Sequence, residues 1–150
     1  MAVDMAGEML RVAVRTIREA ALSDRIVCVR ANARRLPCAD ARFPFVVSNS
    51  LIHHIPNPGS VLVEMCRVAA PGALIFIRDL FRPQSERDVD QLVSTYAAYE
   101  TPIQRQLFSA SLRAALTVGE MQTLLGTLPL EDVSVVASSD RHWTLTARRQ

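Results

Sequence analysis

The sequence contains few cysteines, no lysine and no long apolar run. Its three cysteines, Cys28, Cys38 and Cys66, have no CxxC spacing, so they build neither a Cys/His zinc site nor a disulfide framework. This pattern fits a protein of the reducing cytoplasm. The longest purely apolar run is a few residues and no leader pattern is present, so we expect neither a membrane span nor a signal peptide.

Charge is nearly balanced along the chain. All 17 basic residues are Arg and face 15 acidic residues, which gives a formal charge of +2 with no basic arm or block. A nucleic-acid partner is therefore not expected. With 150 residues and 49% hydrophobic content, the chain is large enough for one core, so residues 1–150 are expected to form a single domain.

Hydrophobic spacing alternates between the helical and the strand period. A 3.6-residue pattern predicts an amphipathic helix over 6–21 and a second helix after Pro58, closed by Pro71-Gly72 as a stop signal. Short β-branched runs predict buried parallel strands at 25–30, 44–49 and 73–79. A strand, a helix and a strand in this order indicate a parallel crossover, and hence a three-layer α/β sheet.

Helices and then paired strands are predicted for the rest of the chain. One helix follows its cap Ser85, a second lies around 105–116, and a third opens at Thr117, which forms a capping box with Glu120. Two alternating segments predict an antiparallel pair at a sheet edge, at 132–138 and 142–148.

The segment 81–116 is a candidate lid over a substrate, because it is inserted before the last two strands. Tyr96, Tyr99 and Phe108 would line such a lid. The same aromatic residues suit an ordinary helical core, and this alternative stays open.

His53 and His54 form a neighbouring pair just after the 44–49 strand. Adjacent side chains on an extended segment point to opposite sides, and no third ligand is near in sequence, so we expect no metal site. A substrate-side role, as a base or an orienting group, and a loop-bracing role both remain.

An ordered set of motifs runs along nearly the whole chain: "AVDMAGEML", "VRANARRLP", "FVVSNSLIHHIPNP", "VLVEMCRVAAPGALIFIRDL" and "LTVGEMQTLL...HWTLTARR". This set resembles the class I S-adenosylmethionine-dependent methyltransferases, in particular the ubiquinone and menaquinone C-methyltransferases. The resemblance implies a Rossmann-like three-layer sandwich with an antiparallel C-terminal edge pair. It also implies S-adenosyl-L-methionine as the cofactor and a small-molecule methyl acceptor.

The resemblance assigns cofactor contacts to residues that follow apolar runs. It implies that Asp4 holds the ribose hydroxyls with Met5 beside the adenine, that Asn32-Ala33 contacts the adenine, and that Asn49 lies near the sulfonium. Independently, ligands of parallel sheets bind outside the carboxyl ends of the strands, so these positions are expected to share one edge. Taken singly, Asp4 is a helix cap or an exposed charge and the two asparagines are turn or loop residues. The same resemblance implies that His53-His54 lies at the rim of the pocket, and it makes both histidines catalytic candidates.

The main departure from that family concerns the glycine-rich GxGxG loop and the strand before it. The five glycines of the chain are isolated, and none supplies this loop: Gly7, Gly59, Gly72, Gly119 and Gly126. We therefore expect an N-terminally incomplete, truncated domain with exposed strand edges that promote a homodimer. The alternatives are the carboxyl-terminal part of a methyltransferase or a non-catalytic methyltransferase-like fragment; a dinucleotide-binding domain fits less well.

Overall fold

The computed structural model describes all 150 residues, in two compact units that comprise residues 1–39 and 40–150. The first unit contains β1 (Ala2–Asp4), α1 (Gly7–Glu19) and β2 (Cys28–Arg30). The second unit contains β3 (Phe43–Asn49), α2 (Pro58–Val68), β4 (Ala69–Leu80), α3 (Glu86–Tyr96), α4 (Pro102–Ala114), α5 (Val118–Leu125), β5 (Leu130–Ala137) and β6 (His142–Arg149). This mixture confirms the α/β class. That residues 1–150 act as one domain stays a prediction.

The first unit is a small parallel β-α-β arrangement. Strands β1 and β2 pair in parallel, with Asp4 opposite Arg30, and α1 lies between them in sequence. The predicted strand at 25–30 is shorter than expected, because the backbone N–H groups of Arg25 and Ile26 both donate to the carbonyl of Leu22 in a turn after α1.

The second unit is built on a four-stranded sheet with the order β3-β4-β6-β5. Strands β3 and β4 are parallel and are connected through α2, whereas β6 is antiparallel to both of its neighbours. The predicted parallel crossover and the predicted antiparallel strand pair are therefore both confirmed. None of the helices is long and apolar enough to span a membrane.

The two faces of this sheet differ in burial because side chains alternate along each strand. Ile75 and Ile77 on β4 are 2% and 0% exposed, and Trp143 and Leu145 on β6 are fully buried. Helix α2, which contacts β3 and β4, contributes more of the core through Val61, Leu62, Met65 and Val68. On β3, by contrast, Phe45 and Val47 are each 67% exposed.

Pro71-Gly72 does not separate a helix from a strand, contrary to the prediction. Helix α2 ends at Val68, and β4 begins at once with Ala69. Between Ala69 and Leu74 the strand advances five positions while its partner β3 advances two, so the extra residues form a bulge. Gly72 has a φ of 74° there, a conformation that glycine adopts without steric cost.

Side-chain caps fix where the helices α3, α4 and α5 begin. The hydroxyl of Ser85 accepts from the N–H of Asp88, and Thr117 forms a full capping box with Glu120, as predicted. Helix α4 begins earlier than expected, at Pro102, because Thr101 forms a second capping box with Gln104.

Candidate functional site

Two of the predicted cofactor contacts lie together at one edge of the first unit. Asp4 is the last residue of β1, and Asn32 follows the end of β2 by two residues. Because the strands are parallel, both positions are at the carboxyl edge of the pair, and the N–H of Ala31 donates to the carbonyl of Asp4 at 3.1 Å. Met5 and Ala33 are the next residues in each loop, and the Met5 side chain is exposed.

Local hydrogen bonds hold both loops in place. Asp4 Oδ1 accepts from the N–H of Ala6 at 2.7 Å, next to the start of α1, and its Oδ2 has no donor in the chain. Asn32 Oδ1 accepts from the N–H of Arg34 at 3.0 Å, which makes an Asx turn. The guanidinium of Arg30 donates to the carbonyl of Met5 at 3.0 Å. The turn role anticipated for Asn32 therefore exists. Asp4 makes the same kind of turn and does not cap α1, whose N-cap residue is Ala6 and has no side-chain cap hydrogen bond. One carboxylate oxygen of Asp4 stays open.

Asn49 is the last residue of β3 and is exposed at the carboxyl edge of the parallel pair β3-β4. The chain turns immediately after it, since Ser50 has a φ of 54° and donates its N–H to the carbonyl of Arg78 at 2.9 Å. That Asn49 shares a site with Asp4 and Asn32 stays a prediction.

The histidine pair adopts a geometry different from the expected one. His53 and His54 lie in a 3-10 turn rather than in an extended segment. Successive side chains of such a turn are about 120° apart instead of opposite. Their rings consequently lie side by side, with centroids 3.9 Å apart and planes inclined by 45°. The expectation that the two side chains point to opposite sides was wrong.

Asp79 is the residue that organises this turn, and it was not among the residues predicted from the sequence. Its side chain is fully buried near the end of β4. Oδ2 accepts from the N–H groups of Leu51 at 2.9 Å and Ile52 at 2.5 Å, while Oδ1 accepts from the N–H of Leu80 at 2.7 Å. Oδ1 also lies 2.5 Å from Nδ1 of His53. The available signal was an acidic residue just before the end of a largely apolar strand.

The two histidines of the turn have different environments. The His53 side chain is 5% exposed, and its second ring nitrogen, Nε2, has no hydrogen-bond partner in the chain. His54 is exposed at the surface of the turn. Partial burial and the neighbouring His53 lower the pKa of His54 against an opposing effect of Asp79. Burial and the neighbouring His53 therefore both favour the neutral form of His54.

His142, the remaining histidine, is a second buried polar group that was not predicted from the sequence. It begins β6 opposite Leu80. Its Nδ1 accepts from Arg78 Nη2 at 3.0 Å and lies 2.9 Å from Ser139 Oγ. Desolvation, followed by the charges of Arg78 and Arg141, lowers the pKa of His142. The next residue, Trp143, lies opposite Asp79 and keeps its buried indole N–H without a partner.

The aromatic residues of segment 81–116 divide between core and surface. Phe108 packs against a buried cluster, as an ordinary helical core requires: Leu80, Val89, Leu92, Leu112 and Ala115. Tyr99 is fully exposed. Tyr96 donates its hydroxyl to Asp140 at 2.5 Å, and the guanidinium of Arg141 lies 3.5 Å from the centre of its ring. The role of the segment as a lid stays a prediction.

Comparison with known structures defines the fold. The chain superposes with a TM-score of 0.72 on an S-adenosylmethionine-dependent methyltransferase from Aquifex aeolicus, at 18% identity, covering 99% of this chain and 68% of that one. A putative methyltransferase of the same kind from Methanococcus maripaludis gives 0.69 at 16% identity, covering 99% and 66%. The fold is thus the Rossmann-like α/β fold of class I methyltransferases.

Comparison of sequences defines the family. The model of the methyltransferase domain matches residues 1–77, so the chain belongs to this methyltransferase family. It is 28% identical over 110 residues to a demethylmenaquinone methyltransferase of Bacillus velezensis, covering 73% of this chain and 46% of that protein. The corresponding enzyme of Lactiplantibacillus plantarum is 29% identical over 80 residues, covering 53% and 34%. The chain therefore spans a third to a half of these curated relatives.

Proposed function

We propose that the chain takes part in S-adenosyl-L-methionine-dependent methyl transfer to a small-molecule acceptor. The observation that carries the proposal is the position of Asp4 and Asn32, side by side at the carboxyl edge of a parallel strand pair, where ligands of such sheets bind. Family membership and relatives named methyltransferases support it. A reducing cytoplasm suits the three free cysteines.

The residues of the first unit fit the adenosine part of the cofactor. The open oxygen of Asp4 can accept from a ribose hydroxyl, and the side-chain amide of Asn32 can donate to an adenine edge. Met5 would pack against the adenine and Ala33 would allow close approach. Gly7 forms no cradle for the methionine part, because an added Cβ would meet only the Arg30 side chain at 4.0 Å.

The residues of the second unit are proposed to serve the acceptor. By family resemblance Asn49 is assigned to the sulfonium end and His53 and His54 to catalysis. When bound, the cofactor supplies an electrophilic methyl group. The work of the protein is then to hold the acceptor in line, to exclude water and to take a proton where the acceptor needs to lose one. Residues 81–116 would cover the acceptor.

Binding of S-adenosylhomocysteine tests the proposed donor site, and we expect the chain to bind it weakly. We expect shifts of the Asp4 and Asn32 amide signals in nitrogen-15 spectra at millimolar ligand. Asp4→Asn should reduce the shifts, because its amide oxygen still accepts from Ala6 but its NH₂ opposes a ribose hydroxyl less favourably than a carboxylate does. Asp24→Asn, an exposed site in the same unit, is the matched control. Shifts elsewhere, or none at millimolar ligand, would contradict the proposed donor site.

A further inference from the structure

The strongest unexplained feature is a buried carboxylate that no arginine side chain contacts. Asp79 is fully buried, and its contacts are three backbone N–H groups and the His53 ring. Burying a carboxylate is costly unless hydrogen bonds compensate. Two of the N–H groups, from Leu51 and Ile52, belong to the turn that carries His53. The carboxylate therefore fixes both the backbone of the turn and the ring that follows.

The hydrogen bond between Asp79 and His53 also selects one form of the imidazole. An ionised carboxylate only accepts hydrogen bonds, so the facing Nδ1 of His53 must carry the proton. In the neutral ring the other nitrogen, Nε2, is then an unprotonated acceptor. Nε2 has no partner in the chain, so this acceptor position is not used by the fold.

The location of the pair suits chemistry on a ligand. Strands β3 and β4 are parallel, and ligands bind outside the carboxyl ends of such strands. His53 follows the end of β3 by four residues, and Asp79 is the penultimate residue of β4. The pair thus lies at the carboxyl edge of this sheet, near Asn49.

We propose that Asp79 is a positioning residue that holds the proton of His53 on Nδ1, so that Nε2 acts as the base for a methyl acceptor whose attacking atom must lose a proton. The inference deepens the proposed function and rests on it for the identity of the reaction. It favours hydroxyl or acidic carbon acceptors over neutral amines, since a neutral amine attacks through its own lone pair before it loses a proton.

For a hydroxyl acceptor, the proposed reaction couples a proton transfer to His53 with a methyl transfer to the acceptor oxygen. The O–H proton passes to Nε2 of His53 while the oxygen forms a bond to the methyl carbon of the sulfonium donor. The carbon–sulfur bond breaks, and its electron pair stays on sulfur. The products are the methyl ether, S-adenosylhomocysteine and an imidazolium ring. Asp79 would stabilise that imidazolium through the hydrogen bond at Nδ1.

The tautomer of His53 is the deciding measurement, and it needs neither donor nor acceptor. Long-range proton–nitrogen spectra of the wild-type chain should show that neutral His53 is protonated on Nδ1. The variants His53→Gln and His54→Gln assign the signals of the two rings. Asp79→Asn should lose this single form, whereas Asp132→Asn, the same change at an exposed site, should keep it. If wild-type His53 carries its proton on Nε2, the inference is wrong, whether or not the variant folds.

Transfer of a labelled methyl group from S-adenosylmethionine tests the acceptor class, with catechol and aniline, an amine that is neutral at pH 7, as probes. We expect transfer to catechol, with a kcat that falls at least tenfold in His53→Gln and Asp79→Asn while KM changes little. Transfer to aniline alone would overturn the acceptor class. If S-adenosylhomocysteine does not bind and neither probe is methylated, the proposed function fails, and the tautomer still decides the role of Asp79.

Discussion

At the scale of single residues, the buried polar groups near the end of β4 are held in opposite ways. Asp79 is surrounded by hydrogen-bond donors, and these stabilise a carboxylate, which only accepts hydrogen bonds. His142 instead accepts from Arg78 and has cationic neighbours, so its neutral form is favoured. Stability at this end of the sheet should therefore depend on protonation as well as on packing.

Removing the Asp79 carboxylate should be costly. In Asp79→Asn, one side-chain oxygen is replaced by an NH₂ group that faces N–H donors, so at least one buried donor loses its acceptor. We expect the free energy of unfolding to fall by about 2–3 kcal/mol, measured by urea denaturation. Asp132→Asn should change it by less than about 0.5 kcal/mol. Equal effects of the two variants would show that the buried hydrogen bonds contribute nothing specific.

His142 should make the protein less stable as the pH falls. Its folded pKa is lowered from an unfolded value of about 6.5, so between these values the unfolded state binds more protons. Stability is then full above the unfolded pKa and declines as the pH falls through about 6.5. The free energy of unfolding should drop between pH 7.5 and 5.5, and His142→Gln should reduce this drop. An unchanged pH dependence in the variant would contradict the assignment.

At the scale of elements, α4 and α5 both begin with a capping box, and only the one at α5 was predicted. Thr117 and Glu120 stand before a clear apolar pattern, whereas Thr101 and Gln104 flank Pro102, ahead of the segment in which the helix was expected. The T-P-x-Q pattern predicts a helix start, because proline favours the first helical position and the threonine and glutamine side chains each accept from the other's backbone N–H. Local signals thus fix helix starts when the cap is included.

The Thr117 cap should contribute measurably to stability. Thr117→Ala removes the acceptor for the Glu120 N–H and should lower the free energy of unfolding by about 1 kcal/mol. Thr123→Ala, on an exposed position inside the same helix, should be neutral or slightly stabilising, because alanine has the higher helix propensity. Denaturation curves of both variants give the comparison. A loss in Thr123→Ala as large as that in Thr117→Ala would show that the cap is not responsible.

At the scale of the whole molecule, regular patterns were predictable and long-range pairings were not. Strand periods predicted β3, β4, β5 and β6, since each depends on neighbouring residues. The partner of Asp79 lies 26 residues away in sequence, and the bulge at Gly72 depends on the register with β3, so neither follows from a local pattern. Asp4 and Asn32 were placed on one edge because the parallel-sheet rule needs only strand ends.

The edge strand β3 should mediate self-association of the chain. It pairs with β4 on one side only, and Phe45 and Val47 are each 67% exposed on it. Such an edge offers unpaired backbone groups together with apolar side chains, so we expect a concentration-dependent dimer in sedimentation velocity. Arginine at both positions should shift the chain toward monomer, whereas Tyr99→Arg, at a fully exposed aromatic residue elsewhere, should leave the association unchanged. A wild-type chain that stays monomeric at several hundred micromolar would refute this role of β3.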